Sequence, residues 1–254
     1  MRLYDAASAH FGPCRWWPGD SPFEIAVGAV LTQNTAWRNV EKAIARLREA
    51  GALDPEVMSA LPESELAELI RPSGFYRIKA ARLRGLLEFL RFLSDGRVYL
   101  AGVPGNARRQ AETSLGEDSA DHKGSFSKWW TQSCDNASLE CLRACDLDAL
   151  RADLLAVRGI GEETADSVLL YALNMPVFVV DAYTRRIFSR HGFFPADLPY
   201  DEIREFFMDA LPPDTALYNE YHALVVRTGN AFCKKTGPLC RQCPLGSFLD
   251  QDVE

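Results

Sequence analysis

At Gly159-Ile160-Gly161 one apolar helix stops and another begins with no linker between them, and this juncture constrains the fold more than any other stretch. The run before it, Leu154-Leu155-Ala156-Val157, is apolar. The run after it, Glu162-Glu163-Thr164-Ala165-Asp166, puts acids in a first helical turn, where the helix dipole favours them. Two glycines flanking one apolar residue let the backbone turn tightly and leave consecutive N–H groups bare at a helix start. Ile160 would plug such a hairpin into a core while the amides face an anion. By itself the pattern fits a plain tight turn equally well, so its context decides.

That context is helical. Asp20-Ser21-Pro22 supplies a cap and a first-turn proline, after which Phe23, Ala26, Val27, Val30 and Leu31 recur at helical spacing. A second helix follows Thr35 through Val40, Ala43, Ile44 and Leu47 to Gly51. Asp54-Pro55 opens a short one ending near Leu61, and a longer one runs from about Tyr76 to Leu93 with Leu83, Leu86, Leu87 and Leu90 on one face. Residues 102–136, polar and rich in glycine and serine, read as an inserted loop whose Trp129 and Trp130 dock it back on the body. Helical periodicity resumes at Asp146 and continues to about residue 232. No alternating pattern is long enough for a sheet, although Val177–Val180 reads as locally extended.

The 254 residues, 47% hydrophobic and 25% charged, suffice for two lobes and are those of an ordinary globular chain. No apolar run approaches the roughly 20 residues of a membrane-spanning helix, and the N-terminus lacks the basic start and apolar block of a signal peptide. A cytoplasmic location is expected. The net charge of −7 looks adverse for binding a polyanion, yet its distribution is uneven. Residues 71–87, 182–196 and 222–249 hold twelve of the 28 Lys and Arg residues and no acid. Such segregation fits a basic face on an acidic body; solvated helix faces are the plainer alternative.

Downstream of the hairpin, Pro176-Val177-Phe178-Val179-Val180 delivers Asp181 to the start of another helix, Ala182-Tyr183-Thr184-Arg185-Arg186. An aspartate there is a natural N-cap, and a cap can also serve chemistry. Together, hairpin, Pro-rich loop and aspartate resemble the helix-hairpin-helix signature of the endonuclease III superfamily of DNA glycosylases. Leu31-Thr32-Gln33-Asn34-Thr35 and Gly74-Phe75-Tyr76-Arg77-Ile78-Lys79-Ala80 match further segments of that family, in order. The resemblance implies an all-α, two-lobed helical bundle with a DNA and base cleft between lobes. These lobes would be 22–157, carrying the insertion, and 158–254 with 1–21, carrying the hairpin, Asp181 and a cysteine loop.

It further implies that Asp181 is the catalytic carboxylate, stabilising the sugar cation as the N-glycosidic bond breaks and orienting the nucleophile. Bifunctional members carry, two residues past the second hairpin glycine, a lysine that forms a Schiff base. Here that residue is Glu163, a second catalytic candidate, and a carboxylate cannot form an imine. Water is then the expected nucleophile, and an intact abasic site the product.

Within the superfamily the chain is most similar to the endonuclease III-like 3-methyladenine DNA glycosylases, which share Gly161-Glu162-Glu163-Thr164-Ala165-Asp166, Trp16-Trp17-Pro18 and an aromatic at Trp37. Trp16, Trp17 and Trp37 would then sandwich a flipped base, where a cationic alkylated purine stacks well on indole; packing in a core is the alternative. Gln33 is expected either as a wedge into the gap left by the flipped base or as a hydrogen-bonding residue at a helix end. Gly159, Ile160, Gly161, Arg185, Lys234 and Lys235 complete the expected DNA contacts, and the partner is double-stranded DNA bound by a monomer.

Seven cysteines with no secretory signal argue for metal ligation or burial over disulfides. Cys14, Cys134, Cys141 and Cys145 read as structural. Cys233-x6-Cys240-x2-Cys243 matches three of the four positions of the family's iron–sulfur loop, with Leu249 where the fourth cysteine would stand. Either a 4Fe–4S cluster is bound, with Asp250 one residue from the missing corner, or the loop is a relic. The function implied is excision of alkylated purines. The alternatives are an endonuclease III-like glycosylase and lyase acting on oxidised or mismatched bases, and a catalytically silent DNA-binding module.

Overall fold

The computed structural model describes residues 1–14, 16–94 and 146–249. The insertion at 102–136 with its two tryptophans, the cysteines at 134, 141 and 145, and Asp250 lie outside them. Among the described residues the chain is helical, with no strand, and no helix is long and apolar enough to cross a membrane.

The described chain divides into two compact units, one of residues 19–168 and one of residues 1–18 with 169–254. The division falls after Val168, so the Gly159–Gly161 hairpin belongs with the first of these, not with the segment carrying Asp181.

In the unit of residues 19–168, helix α2 (Pro22–Leu31) forms as its start dictates, with the Ser21 hydroxyl accepting from Glu24 N at 3.1 Å. Nearly all of α2 is buried, so the pattern that suggested one apolar face understated its centrality. Its one buried acid, Glu24, meets the Arg48 guanidinium at 2.8 Å. Helix α3 (Trp37–Glu49) buries Val40, Ala43, Ile44 and Leu47, each worth roughly 1.5–3 kcal/mol for the larger side chains. Asp54 caps α4 (Pro55–Ala60) by accepting from Glu56 N and Val57 N. A helix not foreseen from the sequence, α5 (Glu63–Leu69), packs on α6 (Tyr76–Ser94), which buries Ala80, Leu83, Leu86 and Leu87. Helix α7 (Leu147–Ala156) leads to the hairpin, and α8 (Glu162–Ser167) leaves it, continuing as π-helix over Val168–Ala172.

The second unit opens with another unforeseen helix, α1 (Arg2–Phe11), which packs on α11 (Thr215–Ala231). Between α9 (Ala182–Arg190), α10 (Tyr200–Ala210) and α11 lies an aromatic core. Phe178 stacks on Phe207 with ring centres 4.1 Å apart, and Phe188 meets Phe207 edge-on at 4.6 Å. Val177–Val180 is buried throughout and belongs to neither a helix nor a strand. An apolar segment buried on both faces shows neither helical nor alternating periodicity, which explains its ambiguous pattern.

Candidate active site

The hairpin is built by a turn in which Ile160 N donates to Val157 O at 3.0 Å. Gly159 takes φ 90, and a Cβ there would stand 2.5 Å from Arg82 Cγ, so this glycine is required twice over. Gly161 is different: its φ of −99 suits any residue and a Cβ would meet nothing within 4 Å. What it provides is bare backbone at the N-terminus of α8, which no side chain caps. Ile160 is 4% exposed, plugging the turn into the core, while Arg158, Gly159, Gly161, Glu162 and Glu163 face outward.

Two sets of polar contacts hold the hairpin. Arg151 on α7 donates to both oxygens of Asp166 on α8, at 2.7 and 3.3 Å, with both side chains buried. The Gln33 amide, just past the end of α2, donates to Gly159 O at 3.2 Å and Thr164 Oγ1 at 2.8 Å, and its carbonyl accepts from Arg82. Of the two roles expected for Gln33, this geometry occupies the side chain with the hydrogen-bonding one. Neighbouring Asn34 is exposed at φ 54, a conformation its short polar side chain tolerates.

Asp181 N-caps α9: its Oδ1 accepts from Thr184 N at 2.7 Å and from Thr184 Oγ1 at 2.8 Å. The carboxylate is 11% exposed, and its Oδ2 lies 3.8 Å from Nε2 of His222 on α11. Burial pushes the His222 pKa below the usual histidine value, against a smaller upward pull from Asp181, so the ring is neutral at neutral pH. The carboxylate favours the tautomer with the proton on Nε2, in which Nδ1 accepts from the Tyr171 hydroxyl 2.5 Å away. His222 and Tyr171 escaped the sequence reading, because nothing in their spacing marks them as neighbours of Asp181.

Around this network stand two of the three expected tryptophans. Trp17 stacks on Tyr171 with ring centres 4.6 Å apart and planes 13° from parallel, and Trp16 meets His222 edge-on at 6.5 Å. Trp17 has φ 61, a costly conformation for a bulky residue and a frequent mark of a functional constraint. The Trp16 indole Nε1 is buried without a hydrogen-bond partner among the described residues. Trp37 is in the other unit, as the first residue of α3.

The basic residues divide in two. Lys79 is buried, donating to Leu31 O at 2.8 Å and Ser73 O at 2.6 Å, and burial with the nearby Arg82 pushes its pKa down to about 8. Arg84 donates to Ser59 O and Leu61 O, and Arg185 to Ala196 O and Leu198 O. These cations close helix and loop ends, so the sequence-based basic face is smaller than the charge count suggests. Lys234 and Lys235 are exposed, on a loop whose carbonyls Arg190 holds at 2.8 and 3.1 Å. One exposed side chain went unnoticed in the sequence: Phe75, 67% exposed at φ 45 at the start of α6, is the most exposed large aromatic described.

Cys233, Cys240 and Cys243 line one recess with Leu249, while Cys14 sits elsewhere, beside Arg227. Arg190 reaches Cys233 Sγ at 3.2 Å. Burial pushes the Cys243 thiol up and the other two sulfurs push the same way, against backbone hydrogen bonds from Leu245 and Gly246. Three thiols around one recess suit three corners of a cluster. The apolar Leu249 cannot supply the fourth, so the cysteine set is incomplete.

A sequence profile of the HhH-GPD superfamily base excision DNA repair proteins matches residues 27–213. The "Putative DNA repair glycosylase" of Methanocaldococcus jannaschii is 38% identical over 247 residues, 97% of this chain and 94% of that protein. An endonuclease III solved in a non-covalent complex with DNA has a TM-score of 0.68 at 23% identity, covering 97% of this chain and 92% of its own, a likeness of fold alone. The 3-methyladenine DNA glycosylase of H. pylori, solved with 1,N6-ethenoadenine, has a TM-score of 0.59 at 25% identity, covering 90% and 96%. With the hairpin, the capping aspartate and this match over most of its length, the chain belongs to the HhH-GPD superfamily and is a base excision repair DNA glycosylase.

Proposed function

We propose that this glycosylase hydrolyses the N-glycosidic bond of alkylated purines in double-stranded DNA, using water as nucleophile and leaving the abasic strand intact. The observation that carries this reading is Glu163. It stands, exposed, in the first turn of α8, where a lyase would carry its lysine, and a carboxylate forms no imine. Support for the purine comes from Trp16 and Trp17, whose indoles lie against His222 and Tyr171 and suit a cationic base, and from the H. pylori relative's ethenoadenine.

In the reaction the C1′–N bond breaks, its electron pair leaves with the base, and the sugar turns cationic. Asp181, held by Thr184, meets that charge with Oδ2 and takes the proton of the attacking water. His222 Nε2 stands beside that oxygen at 3.8 Å, beyond hydrogen-bond distance. The amides at Gly159 and Gly161 cradle a backbone phosphate with Ile160 as their anchor, while Arg185, Lys234 and Lys235 supply positive charge. Gln33 presents the hairpin, and Phe75 wedges between bases. Cys233, Cys240 and Cys243 would hold a 4Fe–4S cluster, which when bound would supply a cross-link for the loop bearing Lys234 and Lys235.

Incubation with methylated duplex DNA tests the reading. Free 3-methyladenine or 7-methylguanine with unbroken abasic strands is expected; a borohydride-trapped covalent adduct would overturn the hydrolytic route in favour of endonuclease III-like lyase chemistry. Binding with no base release from any damaged duplex would leave only the silent DNA-binding module.

A further inference from the structure

The recess in the unit of residues 1–18 and 169–254 is lined by a fourth donor besides its three cysteines: His191, immediately after α9. We propose that His191 is the fourth ligand of the iron–sulfur cluster, in place of a cysteine at 249. This rests on the cluster assignment above and deepens it.

The His191 Nδ1 atom is buried and has no hydrogen-bond partner among the described residues. A buried imidazole nitrogen left without donor or acceptor is rare in folded proteins, and a metal is one of the few partners that satisfies it. The Phe248 backbone lies within hydrogen-bonding reach of the ring, and ligating histidines are commonly held through the nitrogen that does not bind the metal. Phe248 adjoins Leu249, the position where the family's spacing would place the fourth cysteine.

Cys233, Cys240, Cys243 and His191 line one common recess, although among the described residues no three His, Cys, Asp or Glu side chains gather closely enough to hold a single metal ion. A cluster offers four iron corners to ligands spread around it, and imidazole replaces thiolate on one iron of the two-iron Rieske centres. Arg190, 3.2 Å from Cys233 Sγ, supplies positive charge beside the anionic centre.

The full chain, purified without oxygen and reconstituted with iron and sulfide, is the material for the test. Wild type is expected to hold near four iron and four sulfide per chain, with the broad visible absorption of a cluster. His191→Ala should lose half or more of both. Cluster content should return in His191→Cys, with a lower midpoint potential because a thiolate adds negative charge, and in the double variant His191→Ala/Leu249→Cys. Wild-type content in His191→Ala, or loss that neither cysteine variant restores, would overturn the histidine ligand. No iron in reconstituted wild type would overturn the cluster itself, leaving the glycosylase reading untouched.

Discussion

His222 Nε2 lies 3.8 Å from Asp181 Oδ2, while the other carboxylate oxygen is held by Thr184. One oxygen of Asp181 therefore fixes the helix and the other is left for chemistry. Asp181→Asn separates the two roles, since asparagine caps helices about as well as aspartate. The melting temperature should stay within a few degrees, and base release should fall by roughly 10²–10³-fold. Undiminished release, measured in single turnover, would remove Asp181 from the mechanism.

The buried imidazole makes both stability and activity pH-dependent. With the His222 pKa lowered from 6.5 chiefly by burial, the unfolded chain takes up a proton more readily than the folded one. Its contribution is intact above about pH 6.5 and erodes as pH falls below that value. Of its neighbours Asp181, Tyr171 and Trp16, only Asp181 opposes this, and a protonated ring would neutralise the very carboxylate that catalysis uses. Urea midpoints at pH 7.5 and 5.5 should converge in His222→Gln relative to wild type. Equal pH sensitivity of the two proteins would assign the effect to other groups.

The hairpin glycines should behave unequally. Gly159→Ala meets both positive φ and the Arg82 side chain, and should cost roughly 1–3 kcal/mol of stability. For Gly161→Ala, with open space and ordinary φ, the change should be within about 0.5 kcal/mol. If the amides there cradle a phosphate, its methyl group still weakens DNA binding. Denaturant titration beside a filter-binding assay reads the contrast, which vanishes if Gly161→Ala binds DNA as wild type does.

Arg151→Met strands the Asp166 carboxylate in the core between α7 and α8. Removing one member of a buried pair typically costs about 3–5 kcal/mol. A drop below about 1 kcal/mol in chemical denaturation would show that the pair does not brace the hairpin.

Phe75→Ala should leave stability within about 0.5 kcal/mol, since the ring is 67% exposed. Base release from duplex DNA should fall while release from single-stranded DNA is spared, as a wedge is needed only where bases are stacked. Equal losses on both substrates would rule out the wedge.

Local sequence was enough for the helix starts at Ser21-Pro22, Asp54-Pro55 and Asp181, because a cap and a first-turn proline act within a few residues. The hairpin, with Ile160 inward, was legible for the same reason. Helices α1 and α5 were missed: each buries only two residues and neither opens on a side-chain cap, so little in the local sequence marks them. What tertiary packing alone decided is who meets whom. His222 reaches Asp181 across 41 positions of chain, Gln33 reaches Gly159 across 126, and Lys79 leaves the surface to close the end of α2. Caps and turns are settled by neighbours along the backbone, whereas the protonation of a buried imidazole, or the partner of a lone carboxylate oxygen, depends on distances that exist only once the helices have packed.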